Sequence, residues 1–98
     1  MDNNSSPKPV IRIEYCPKCK WMLRAAYMAQ EFLSTFEDVV GGVMLIPSVV
    51  NGRYTIAVDD RIVYDRKASG GFKEIKELKQ LIRDVIAPGM ALGHSDKQ

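Results

Sequence analysis

Little in this chain offers catalytic or ligand-binding chemistry. It holds two cysteines, one histidine and one tryptophan in 98 residues. No apolar run approaches the roughly 20 residues needed to span a bilayer, and residues 1–9 lack the apolar core of a secretory signal. A soluble cytoplasmic protein is the expectation. Neither charge sign dominates: 14 Lys and Arg stand against 12 Asp and Glu. A net charge of +2, with basic residues interspersed among acidic ones, gives no case for a nucleic-acid or membrane partner. No repeat and no domain boundary interrupts the chain, so its length suggests one domain, over residues 9–88. Residues 1–8 and 89–98 read as flexible tails.

The two cysteines are adjacent in an informative way. They form Cys16-Pro17-Lys18-Cys19, too close to staple a long loop. Such spacing in a cytosolic chain points to redox chemistry or to metal. A tetrahedral structural site needs two further ligands. His94 is the only other good nitrogen or sulfur donor, and it lies in the C-terminal tail. Redox is therefore the favoured reading.

Hydrophobic periodicity places the motif. Residues 10–15 (VIRIEY) alternate, with Ile11, Ile13 and Tyr15 on one face and Arg12 and Glu14 on the other. This predicts a strand whose polar face has no helix over it. A helix is expected over residues 18–36, with Pro17 at its start. Its buried stripe is expected to be Met22, Ala25, Ala26, Ala29, Phe32, Leu33 and Phe36. Trp21, Arg24, Met28 and Glu31 fall on another flank. Trp21 is thus either a partly exposed aromatic beside the cysteines or a cap on the core edge. Residues 43–46 (VMLI) form a short apolar strand that Pro47 interrupts, completing a parallel strand–helix–strand unit. Residues 53–58 and 61–66 flank Asp59-Asp60 as a hairpin. Asn51-Gly52 either closes a second hairpin or lies in a loop crossing to the far side of the first strand. Residues 68–71 break the last strand. A final helix over 73–86 carries Ile75, Leu78, Leu81, Ile82 and Val85 on one face. The order is β-α-β-β-β-α.

Both sulfurs are therefore expected at a strand-to-helix turn. Free N–H groups at a helix N-terminus stabilise a thiolate. A partly exposed Cys16 would then titrate below the ~8.5 of a free thiol. By that argument Cys16 is the nucleophile and Cys19 resolves the mixed disulfide. Alternatively one cysteine forms a sulfenic acid that the other condenses with. Asp59 and Asp60 read as turn residues and His94 as solvated.

The strand running into Glu14-Tyr15-Cys16-x-x-Cys19, the long helix, and Gly70-Gly71-Phe72 before the last helix resemble the selenoprotein W-related (Rdx) family, over residues 9–88. Ala87-Pro88-Gly89 and the segment 92–96 resemble its bacterial, cysteine-containing branch. The resemblance implies a thioredoxin-like α/β fold of two layers. It also implies a thiol oxidoreductase role linked to glutathione, and it favours the crossing loop at 47–52. Selenocysteine-containing members carry that residue at the position matching Cys19, which would make the second position the attacking one. This opposes the helix-terminus argument, and both assignments stay open. No bound cofactor is called for. The reductant would be glutathione or a thioredoxin-type donor, and the partner a disulfide or oxidant, including a protein disulfide. Lys18, Trp21, Gly71 and Phe72, with Ser69 and Gly70, are expected to contact it. A rival reading is a protein-binding module in which the dithiol acts as a redox switch.

Overall fold

The computed structural model describes residues 7–93. His94 lies outside the described residues. The elements are β1 Val10–Tyr15, α1 Met22–Phe36, β2 Gly42–Pro47, β3 Tyr54–Val58, β4 Arg61–Asp65, a helical turn α2 Arg66–Ser69, and α3 Ile75–Ile86. The expected order holds, with α2 added.

β1 is the hub of a four-stranded sheet ordered β2-β1-β3-β4. It pairs parallel to β2, with Tyr15 opposite Pro47, and antiparallel to β3, with Tyr15 opposite Tyr54. Asn51-Gly52 therefore lies in a loop that crosses to the far side of β1. The hairpin at Asp59-Asp60 forms as expected. Asp59 adopts φ 52°, and its Oδ1 accepts the Val10 N–H at 2.9 Å.

The alternation in β1 decides the layering. Ile11, Ile13 and Tyr15 are buried, as are Tyr54, Ile56 and Val58 of β3. These side chains face α1 and α3, which pack side by side on that face and are tied by a 2.9 Å Lys79–Glu31 ion pair. Arg12 and Glu14 lie on the other face of the sheet with Thr55 and Ala57, opposite them in register. The result is the expected two-layer α/β structure. Phe32 and Phe36 are fully buried at its centre, each worth about 1.5–3 kcal/mol of apolar transfer. Among the described residues no helix is long and apolar enough to cross a membrane.

Two details differ from expectation. First, α1 begins at Met22, not near Lys18. Residues 17–20 are instead a turn closed by Lys20 N–H donating to the Pro17 carbonyl at 3.1 Å. Second, the buried side of α1 is rotated. Met22 and Leu33 are exposed, whereas Met28 is buried, because Tyr54 and α3 cover the flank that carries it. The parallel pairing of the apolar β2 is as expected, and β2 forms an edge of the sheet with Met44 and Leu45 exposed. Beyond α3, Met90 and Leu92, placed in a tail by the sequence, pack against the core. Arg83 fastens this segment by donating to the Met90 carbonyl at 2.9 Å.

Candidate redox site

The site begins where β1 runs out of partners. The Ser48 N–H donates to the Tyr15 carbonyl at 2.7 Å, which pins the loop after β2 beside the end of β1. Cys16 follows directly. The chain then makes its turn and, after Lys20 at φ 63°, enters α1. A positive φ is uncommon outside glycine, so this turn is held by what surrounds it. No side chain caps α1.

Within the turn Cys16 and Cys19 are joined as a disulfide, with Cα atoms 5.3 Å apart. This is an ordinary separation for such a bond. The two sulfurs are not equivalent in surroundings. Cys16 is 1% exposed, whereas Cys19 is half-buried. A partly exposed Cys16 at a helix start was the expectation. It fails because Cys16 follows directly on β1, and four residues of turn and Trp21 separate it from the helix. Lys18 sits exposed in the turn between the sulfurs.

An aromatic cluster stands next to the pair. Trp21, two positions after Cys19, meets Phe72 with ring centroids 5.1 Å apart and Tyr54 at 5.9 Å. Tyr54 and Phe72 meet at 5.0 Å. All three contacts are edge-to-face, a geometry favoured by the ring quadrupoles. Trp21 and Phe72 are half-buried and Tyr54 is buried. Trp21 therefore caps the core edge and keeps part of its surface open, so the two sequence readings describe different sides of one ring.

Two glycines make the approach of Phe72 possible. Gly70 has φ 81° and Gly71 φ 155°, both strained for any other residue. Gly70 ends α2, whose start is capped by Asp65 accepting from the Lys67 N–H at 3.0 Å. The Gly71 carbonyl accepts the Tyr64 hydroxyl at 2.6 Å. Expected contact residues Trp21, Gly71 and Phe72 are thus brought together, while Ser69 and Gly70 are exposed on the far edge of that turn.

Sequence reasoning missed three members of the site. Arg24 places its guanidinium 3.9 Å from the centroid of Phe72. Arg66 stands 4.7 Å from Trp21 and 5.7 Å from Phe72, and donates to the Gly52 carbonyl at 3.2 Å. Tyr54 donates its hydroxyl to the Met28 sulfur at 3.0 Å. The face of Tyr54 was legible in the alternation of β3, but its neighbours depend on strand order. Burial holds the Tyr54 phenol far above its ordinary range, against the pull of Arg24. Burial likewise raises Tyr64, opposed by the Lys73 backbone, Arg66 and Arg24. Both phenols are therefore kept protonated as donors. Among the described residues no three His, Cys, Asp or Glu side chains gather as metal ligands.

Comparison with known proteins agrees with this geometry. The model of the Rdx family matches residues 10–84. A crystal structure from Bordetella parapertussis is 48% identical, with a TM-score of 0.75, covering 79% of this chain and 96% of that one. That of a selenoprotein W-related protein from Vibrio cholerae is 44% identical, with a TM-score of 0.76, covering 80% and 96%. No curated protein matches the chain.

Proposed function

The chain belongs to the Rdx family, and from that premise we propose that it performs thiol–disulfide exchange at Cys16 and Cys19, with Cys19 as the attacking sulfur. The observation that carries the assignment is the difference in burial, 1% exposure at Cys16 against a half-buried Cys19. A substrate sulfur must approach in line with the bond that breaks, which only an accessible thiolate allows. In the reduced protein the Cys19 thiolate attacks a disulfide of the partner. One S–S bond forms to Cys19, one breaks, and a thiolate leaves. Cys16 then attacks the Cys19 sulfur, the partner departs as its second thiol, and the intramolecular disulfide is restored. Two electrons pass from the protein dithiol to the partner. A thiol donor such as glutathione, or a dithiol protein, returns the pair to the reduced state by the same steps in reverse.

Mass-spectrometric trapping of mixed disulfides tests the roles. With a peptide disulfide, the Cys16→Ser protein should accumulate a stable adduct on Cys19, and Cys19→Ser should form little. The opposite pattern reverses the assignment. If neither variant forms an adduct, exchange itself is not the function.

A further inference from the structure

The fold collects positive charge at the redox end of the molecule. Of the 14 Lys and Arg in the chain, six fall in residues 17–24 and 66–73, and none of the 12 Asp and Glu does. The Trp21–Phe72 contact brings these two segments together. Lys73 is paired with Glu77. Among the described residues Lys18, Lys20, Arg24, Arg66 and Lys67 make no ion pair. Of the acids that border these segments, two are already engaged, and Glu74, next after Lys73, is exposed. Asp65 caps α2, and Glu14 accepts from the Ser48 hydroxyl at 2.7 Å and pairs with Arg53 at 3.5 Å.

Within this field Arg24 and Arg66 form a specific feature. Both guanidinium groups lie against the Phe72 ring, two like charges gathered on one aromatic platform. The Arg66 Nε is buried without a hydrogen-bond partner. A planar guanidinium donates two parallel N–H bonds to a carboxylate, and the aromatic ring fixes its orientation without neutralising it. Exposed apolar side chains stand in both the helix start and the loop that border the turn. Leu23 is 76% exposed and Val49 99% exposed. Val49 follows Ser48, which is bonded to the residue before Cys16.

We propose that this face docks an acidic polypeptide segment that carries the disulfide exchanged at Cys19. Side-chain carboxylates of the segment occupy Arg24 and Arg66, further acids lie along Lys18 and Lys20, and apolar residues meet Leu23 and Val49. A polypeptide is the occupant because the cations lie on both sides of Cys19 and exposed Leu23 and Val49 add apolar area. One small anion meets only part of this surface. The inference rests on the exchange chemistry proposed above.

The test uses the full-length reduced protein and three peptides. Each contains one cysteine activated as its 2-pyridyl disulfide, with an apolar neighbour, and they differ only in having Glu, Gln or Lys at the flanking positions. The Cys19 thiolate takes the peptide sulfur, 2-thiopyridone leaves, and its release gives the second-order rate. At low ionic strength the Glu peptide should react faster than the Lys peptide by about tenfold or more, and added salt should shrink the ratio. Arg24→Gln and Arg66→Lys should each lower the ratio of Glu to Gln peptide rates. Arg61→Gln, which removes the same charge as Arg24→Gln but in the β3–β4 hairpin, should leave that ratio in place. Equal rates for the Glu and Lys peptides overturn the inference while leaving the exchange reading intact. A small carboxylate, 3-(2-pyridyldithio)propionate, that gains as much as the Glu peptide overturns the choice of a polypeptide. No reaction with any peptide overturns the exchange reading and this inference together.

Discussion

Trp21 and Phe72 meet edge to face, 5.1 Å between ring centroids, one at the start of α1 and the other just before α3. This single contact closes the redox turn onto the far end of the chain. It also places Arg24 and Arg66 on the same aromatic surface.

Phe72→Ala should loosen that closure. A fully buried Phe truncation costs about 3–5 kcal/mol. Phe72 is half-buried, so a loss of about 2 kcal/mol is expected from urea unfolding. Trp21 is the only tryptophan, and its emission should move to longer wavelength as the ring gains water. Unchanged emission together with unchanged stability would show that the cluster contributes nothing.

Alkaline pH should destabilise the fold through Tyr54 and Tyr64. Both phenols are raised by burial in the native state, whereas in the unfolded chain they ionise near ~10. Above that value the unfolded state binds fewer protons, so stability falls as pH rises toward the native values. Below it the contribution is fully present. Each group adds a slope of at most about 1.4 kcal/mol per pH unit. Tyr54→Phe should flatten the decline between about pH 10 and 12, measured by urea midpoints. An identical slope in the variant would rule Tyr54 out as a source.

Reduction should lower stability modestly. Cys16 and Cys19 are three positions apart, and so short a loop restrains the unfolded chain by about 2 kcal/mol in the chain-entropy account. The urea midpoint should therefore drop when a dithiol reductant is added. A reduced form as stable as the oxidised one would mean that the native turn opposes the bond.

Gly41 and Gly42 should respond in opposite ways to alanine. A Cβ on Gly41 would stand 2.8 Å from the Lys8 carbonyl oxygen. That strand end cannot retreat easily, since Gly41 N–H donates to the Pro9 carbonyl at 2.7 Å. Gly41→Ala should cost about 1–3 kcal/mol. A Cβ on Gly42 meets nothing within 4 Å, and Gly42→Ala should be neutral or gain up to about 1 kcal/mol by restricting the unfolded chain. Calorimetry on the pair checks both. Equal effects would show that the approach of Lys8 yields freely.

Much of the architecture follows from local patterns. The alternation of Ile11, Ile13 and Tyr15 against Arg12 and Glu14 determined that one face of the sheet carries the helices. Asp59-Asp60 marked a hairpin, and the 3.6-residue spacing in 75–86 marked the last helix. The Cys-x-x-Cys spacing determined where the chemistry lies. These features depend on residues within one or two turns of each other, so a linear reading captures them. The start of α1 was misplaced because Pro17 suits a tight turn as well as a first helical turn, and nothing local separates the two. The exposure of the cysteines, the burial of Met28 and the edge position of β2 were decided by tertiary structure. So was the meeting of Arg24 and Arg66 on Phe72. Burial and field at a point depend on which distant segment arrives there. Here it is residues 66–73, brought against Trp21 with the help of two glycines at positive φ, that decide what charge surrounds the redox turn.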